Sequence, residues 1–299
     1  YIRKTAPSRP IQMVYTDLPK NDFSQVFQNV HGQTDMKTYI EDIEDLYIFS
    51  SATSFHKPIF PAGSLNLGIS ATASHYVSEQ PCIISNHVHM VGSAGEERAA
   101  YQEQGRLDWE RMLLNRARDL APTGRLALFN FGIDEKGRYL GNTGGQHMFD
   151  HFHKYWLALF EDGSITADEY KRASFAQYYR TMDEFCAPFN DPDSAVRKTG
   201  LKLKSCQSKL TKCPYEAAFL AAGGVGGTMS NIDYANSLIP TMRSWSETVF
   251  RTALEGRDED NISQIVDRFY DLYRDYVAAN PSGHAMDYVH IILDIEKTV

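Results

Sequence analysis

The sequence predicts an α/β fold in which a largely parallel sheet carries an inserted helical cap. Three observations support this. Short apolar runs alternate with helical stretches up to about residue 132, the order that builds a parallel sheet flanked by helices. Beyond Gly132 helical patterns dominate. A last apolar run, Tyr288-Val289-His290-Ile291-Ile292-Leu293-Asp294-Ile295, then reads as a strand returning to the sheet. The expected divisions are an α/β core over 1–139, a mainly helical cap over 140–257, and a final helix and strand over 258–299.

Residues 11–16 form the first strand, and it ends in an acid, Asp17. A carboxylate at the carboxyl end of a parallel strand faces the crevice where α/β sheets hold nucleosides and can accept hydrogen bonds from ribose hydroxyls. Asn21 or Asp22 can cap the helix that follows, roughly Phe23 to Val30. Leu46-Tyr47-Ile48-Phe49 is a second strand, leading into the small-residue loop Ser50-Ser51-Ala52-Thr53-Ser54-Phe55. Leu65 to Tyr76 reads as a strand running into a loop or short helix. Between Glu96 and Leu120 the residues Trp109, Leu113, Ala117 and Leu120 recur at steps of three and four, which predicts an amphipathic helix. Ala121-Pro122-Thr123-Gly124 is expected to end it, and Arg125 to Phe131 to form the next strand.

In the second half, helices are expected over about Gln146–Glu161, from Thr166, over Ser237–Leu254 and over Asn261–Ala279. Thr166-Ala167-Asp168-Glu169 has the form of a capping box. The last helix carries Ile262, Ile265, Val266, Phe269, Leu272, Tyr273 and Tyr276 on one face. Leu201 to Lys212 reads as a strand within the cap region, and Gly223 to Gly227 as a flexible loop. That loop lacks the third glycine and the preceding strand of a dinucleotide-binding turn.

Composition narrows the function classes. The chain has 299 residues and a formal net charge of −8, which argues against a nucleic-acid binder. Its four cysteines, Cys82, Cys186, Cys206 and Cys213, contain no C-x-x-C pair and make no disulfide framework, so a reducing cytoplasm is the expected setting. No run approaches the ~18 apolar residues of a membrane span. The H-x-H pair His87/His89 and the pair His147/His151 have no identifiable third ligand, so no metal is expected.

Three ordered strings carry a family resemblance. Thr16-Asp17-Leu18-Pro19-Lys20-Asn21-Asp22-Phe23 is followed by Thr53-Ser54-Phe55-His56 before Ile59-Phe60-Pro61. Then come Ser64-Leu65 and Ser70-Ala71-Thr72-Ala73-Ser74-His75-Tyr76-Val77-Ser78. In order and spacing these resemble the SABATH family of S-adenosylmethionine-dependent carboxyl methyltransferases. The likeness continues more weakly through Gln177-Tyr178-Tyr179 and Met242-Arg243-Ser244-Trp245-Ser246-Glu247. It implies a Rossmann-like class I methyltransferase sheet, S-adenosylmethionine as cofactor with S-adenosylhomocysteine as product, a small-molecule carboxylate as substrate, and a homodimer.

Carried onto this chain, the resemblance implies that Asp17, Leu18, Ser54, Phe55 and Ser70 bind the cofactor. It implies that Thr72, His75 and Tyr76 meet the substrate carboxylate, with Gln146, His147, Met242 and Trp245 lining the pocket from the cap. Family members usually have Trp where this chain has Tyr76, and Tyr where it has Thr72. Both changes point to a substrate other than the usual plant aromatic acids. A carboxylate is already ionised at neutral pH, so methyl transfer needs no general base, which suits a chain without a nucleophile motif. The family's glycine-rich cofactor loop would lie before Tyr1, so the natural protein is expected to extend further. Two other readings remain open: a nicotinamide-dependent Rossmann oxidoreductase, because an acid after a strand also binds that cofactor's ribose, and a non-catalytic small-acid-binding paralogue.

Overall fold

The computed structural model describes residues 8–298; the opening Tyr1-Ile2-Arg3-Lys4 lies outside them. Strand β1 (Ile11–Asp17) runs parallel to β2 (Leu46–Ala52), and the last pair in register is Asp17 beside Ala52. Helix α1 (Phe23–Val30) connects them. Its cap is Asp22, whose carboxylate accepts from the Gln25 N–H at 3.0 Å. Strand β3 (Leu65–Ala71) opens the main sheet. Helix α2 (Gly95–Asp119) follows and leads directly into β4 (Leu120–Ile133).

The helix predicted over Glu96–Leu120 forms, and the predicted stop at Ala121-Pro122-Thr123-Gly124 falls just past its end. Helix α2 stops at Asp119, and those residues lie inside β4. There they are taken up as an irregularity: Leu65 pairs with Leu120, yet Leu67 pairs with Arg125. Proline has no N–H for the ladder, so it sits where pairing is interrupted.

Past β4 the chain forms α3 (Met148–Glu161), α4 (Ala167–Arg172), the short β5 (Arg180–Thr181), α5 (Met182–Asn190) and α6 (Ala195–Lys198). Strand β6 (Leu201–Thr211), helices α7 (Pro214–Ala221), α8 (Asn231–Ala253) and α9 (Glu259–Ala279), and strand β7 (Tyr288–Lys297) complete it. The main sheet has the order β3-β4-β7-β6, with β5 beside the end of β4. Strands β3 and β4 are parallel, whereas β7 is antiparallel to both β4 and β6. Among the described residues no strand joins the β1–β2 pair to β3.

Two cores hold the molecule. Trp109, Leu113 and Ala117 of α2 pack against Leu126, Leu128, Ile291, Leu293 and Ile295 on one sheet face, with Phe185 of α5 closing the layer. Leu67 and Ile69 point to the opposite face and are exposed. A second, aromatic core binds the cap helices, with Phe152, Trp156, Phe175, Phe250 and Phe269 fully buried. Each such side chain contributes roughly 1.5–3 kcal/mol by burial. Within the 140–257 interval β6, α5 and α6 belong to the sheet layer, and the other helices cover the sheet end. The capping box forms as expected between Thr166 and Glu169, and a second forms between Thr181 and Glu184. No helix of the described residues is long and apolar enough to cross a membrane.

Candidate functional site

The carboxyl ends of β1, β2 and β3 bring the sequence-predicted residues into two groups. Asp17 closes β1, Leu18 follows it, and Ser54 and Phe55 lie in the turn after β2. Asp17 is exposed, and its Oδ1 accepts the Leu18 N–H at 2.6 Å, so Oδ2 remains for a ligand. Leu18 presents an exposed apolar surface beside it. Ser54 Oγ accepts from the His56 N–H at 3.3 Å, which closes the turn. Phe55 is half-buried against the Trp109 core, and its carbonyl accepts from Arg116 at 3.1 Å. Ser70 pairs with Leu128 near the end of β3 and stands outside the cavity described next.

The second group lines a cavity of about 160 Å³ between the sheet end and the cap. Thr72, His75 and Tyr76 form one side. Phe131, Leu140, Gln177, Tyr179, Trp245, Met286 and Tyr288 form the rest. Thr72 has φ +52°, a conformation a β-branched residue rarely adopts, and its N–H is held by the Phe129 carbonyl at 2.7 Å. That pairing turns the chain sharply at the end of β3 and aims the following residues into the cavity.

His75 is buried, its ring 5.2 Å from Phe131 and 4.3 Å from Tyr76. Burial, and then the charge of Arg180, hold it neutral by lowering its pKa to about 3. Tyr76 lies at the rim, 42% exposed. Burial raises the pKa of its phenol, a hydrogen bond from Gln177 offsets part of that, and the charge of Asp17 raises it further. At neutral pH the phenol therefore keeps its proton and can donate.

Trp245 reaches the cavity from α8, whereas its neighbour Arg243 is tied to Glu247 at 2.7 Å and Asp267 at 2.7 Å. Three expected lining residues do not reach it. Met242 is fully buried in the cap core, because its face of α8 turns to neighbouring helices rather than to the sheet. Gln146 and His147 precede α3 on the surface. Gln146 Oε1 lies 3.0 Å from His151 Nε2, and His147 pairs with Asp150 at 3.3 Å. His147 stands before the helix while His151 lies within it among Tyr155, Tyr273 and His284, so the two imidazoles do not converge.

Phe131, Leu140, Gln177, Tyr179, Met286 and Tyr288 were not expected at the cavity. They come from strand ends, from the connections after β4 and before β7, and from the irregular segment before β5, where no periodicity marks which side chain faces inward. The weak match at Gln177-Tyr178-Tyr179 was the available signal.

The profile of the family described as SAM dependent carboxyl methyltransferase matches residues 2–298. Methyltransferase LUC1 of Fusarium sp is 24% identical over 189 residues, 61% of this chain and 47% of that protein. Indole-3-acetate O-methyltransferase 1 of Arabidopsis thaliana is 22% identical over 185 residues, 57% of this chain and 48% of that protein. The chain thus spans about half the length of these curated relatives. A solved structure of loganic acid methyltransferase with SAH superposes with a TM-score of 0.71 at 14% identity, covering 99% of this chain and 77% of that one. That superposition shows a shared fold: a mixed α/β sheet flanked by helices, in the class I Rossmann-like arrangement with helical insertions.

Proposed function

The chain belongs to the SAM dependent carboxyl methyltransferase family, and on that footing we propose that it methylates the carboxylate of a small molecule, giving a methyl ester. The observation that carries this reading is the position of Tyr76. Its ring lines the cavity, and its phenol feels the charge of Asp17 at the nucleoside side. A donor for the acid and an acceptor for a sugar thus stand within electrostatic reach of each other.

The residues fit an S-adenosyl nucleoside: a strand-end carboxylate with a free oxygen, and the exposed Leu18 beside it as an apolar surface for the base. When bound, S-adenosylmethionine supplies an electrophilic methyl group on a sulfonium. The chain's own task is to place the acceptor oxygen and exclude water. Tyr76 donates to the carboxylate, and His75, held neutral, neither repels nor protonates it. Phe131, Tyr179, Trp245 and Tyr288 wall the acid's apolar body. No side chain has to take a proton, because the carboxylate arrives ionised.

The acids in the relatives' names, indole-3-acetate and loganic acid, support a carboxylic acid as acceptor here. Family membership sets aside the oxidoreductase alternative. The test is to incubate the protein with S-adenosylmethionine and a panel of carboxylic acids and to search for methyl esters by mass spectrometry. At least one ester is expected. A folded protein that binds an acid and esterifies none would instead be the non-catalytic paralogue.

A further inference from the structure

The two binding loops follow separate ladders, and one helix holds both. The turn with Ser54 and Phe55 comes after β2 in the β1–β2 pair, whereas the loop with His75 and Tyr76 comes after β3 in the main sheet. Side chains of α2 reach each of them.

Asp108 takes the acid loop. It is buried, and its carboxylate grips Ser78, just past Tyr76. Oδ2 accepts the Ser78 N–H at 2.7 Å, and Oδ1 accepts the Ser78 hydroxyl at 2.7 Å. Gln104, one turn back on the helix, donates to Oδ2 at 3.0 Å and steadies the carboxylate. Hydrogen bonds to an ionised acceptor are the stronger class.

Further along the helix, Arg116 and Asn115 take the nucleoside turn. Arg116 is buried and donates to the carbonyls of Phe55 at 3.1 Å and Lys57 at 2.6 Å. Asn115 donates to the carbonyl between them, that of His56, at 2.8 Å. Asp119 accepts from Arg116 at 2.8 Å and also from the N–H groups of Ile59 and Phe60. His56 turns its imidazole toward the other anchor, with Nδ1 3.8 Å from Asp108 Oδ1.

At 1.5 Å of rise per residue, Asp108 and Arg116 stand about 12 Å apart along the axis of α2. A helix keeps such a spacing, whereas loops do not. Methyl transfer needs the acceptor oxygen in line with the methyl carbon, and a displacement of about 1 Å can cost on the order of a hundredfold in rate. We propose that Asp108 and Arg116 are positioning residues that make α2 the spacer between the nucleoside turn and the acid loop. The consequence for rate rests on the reading of those loops as the cofactor and acid sites. The consequence for the loops themselves does not.

The test has two arms. The first is amide hydrogen exchange, read by mass spectrometry without ligand. Asp108→Ala should speed exchange over 74–80 and leave 54–60 unchanged, and Arg116→Met should do the reverse. Asp108→Asn keeps an acceptor for the Ser78 N–H, and Arg116→Lys keeps a donor for one carbonyl, so both should restore most of the protection. Asn115→Ala removes only the bond to His56 and answers for the turn if Arg116→Met does not fold. Unchanged exchange over 74–80 in Asp108→Ala overturns the proposal. So does an equal rise in both segments, the mark of general destabilisation.

The second arm uses whichever acid the ester screen identifies. Asp108→Ala should lower kcat by about tenfold or more, with the KM for S-adenosylmethionine within about twofold, and Asp108→Asn should restore most of it. Arg116→Met should lower kcat on the same scale. The double variant should lose no more than the worse single one, because a spacer freed at one end no longer sets a distance. Losses that multiply would mean that the two residues act separately, and they overturn the spacer. Failure of the wild-type protein to esterify any acid removes the functional reading alone, and the exchange data still decide whether α2 holds the two loops.

Discussion

Arg180 donates from Nη1 to the carbonyl of Ser74 at 2.7 Å. The guanidinium is buried, and its Nε gives a second bond to the Gly105 carbonyl of α2 at 3.0 Å. No carboxylate among the described residues lies within ion-pairing distance of it, although Asp108 and Glu184 act on it through space. Burial lowers its pKa to about 10, which still leaves it charged at neutral pH. A single cation thus ties the loop that carries His75 and Tyr76 to the helix beneath it.

Replacing this side chain should be costly for that reason. In Arg180→Met the Ser74 carbonyl loses this donor, at roughly 1–3 kcal/mol for a buried group left unpaired, while the Gly105 carbonyl keeps its bond within α2. Removing the buried charge itself returns part of that. A net loss of about 1–2 kcal/mol in urea denaturation is expected, with a raised KM for the acid because the His75 loop is no longer held. Stability within about 0.5 kcal/mol of wild type would show that the clamp contributes nothing.

The positive φ of Thr72 suggests a different outcome at the same loop. A β-branched residue in the left-handed region costs about 1–3 kcal/mol, whereas glycine costs roughly 0.5–1 kcal/mol more than alanine in unfolded-state freedom. Strain is the larger of the two. Thr72→Gly should therefore match or exceed wild-type stability by up to about 1 kcal/mol, while its KM for the acid rises because a cavity wall is lost. Thermal unfolding and steady-state kinetics on the one variant check both halves, and a clear drop in Tm would mean that the threonine side chain stabilises the turn.

These two residues show what could be read from the chain and what could not. The strands ending at Asp17 and before Thr72, and the α2 stripe through Trp109, Leu113 and Ala117, follow from periodicity and strand-end chemistry, and the structure contains them. Arg180 gave no such signal. A buried arginine looks like any surface arginine in sequence, because its partners are carbonyls distant along the chain. Gln177 lies in a segment without periodicity, where the weak family likeness at Gln177-Tyr178-Tyr179 was the signal available. The resemblance placed Gln146, His147 and Met242 at the cavity, but Gln146 and His147 precede α3 on the surface and Met242 turns into the cap core. Pro122 and Gly124 were legible as the stop after α2 because local turn chemistry is visible in sequence, whereas the irregularity they make in β4 is not.

Acid should weaken the fold through buried histidines. His151 and His284 sit 4.9 Å apart and have pKa values lowered to about 4, by burial first. His75 is lowered further, to about 3. In the unfolded chain all three return to about 6.5, so between 6.5 and 4 the unfolded state binds protons that the folded state does not. Stability is therefore complete above about pH 6.5 and is lost as pH falls toward 4, each ring contributing on the order of 1–3 kcal/mol. Glu169, lowered to about 2 by its bond to Arg257, contributes only in more acidic solution. Urea midpoints at pH 7 and pH 4.5 should differ clearly, and His284→Gln should narrow the gap. A flat profile over that interval would mean that these rings are not held neutral.

Asp17 offers the most direct check on the nucleoside side. Its side chain is exposed and bonds only its own neighbour's N–H among the hydrogen bonds described, so Asp17→Ala should leave the fold intact. A carboxylate gripping ribose hydroxyls forms charge-assisted bonds of about 1.5–3 kcal/mol, and their loss should raise the dissociation constant for S-adenosylhomocysteine roughly tenfold to a hundredfold in calorimetry. Asp17→Asn keeps one acceptor oxygen without the charge and should fall between the two. Because the carboxylate acts on Tyr76 only through space, the KM for the acid should change less than cofactor affinity. Unchanged S-adenosylhomocysteine binding by a folded Asp17→Ala protein would remove this residue from the nucleoside site and, with it, the pairing of sugar acceptor and acid donor on which the proposed reaction depends.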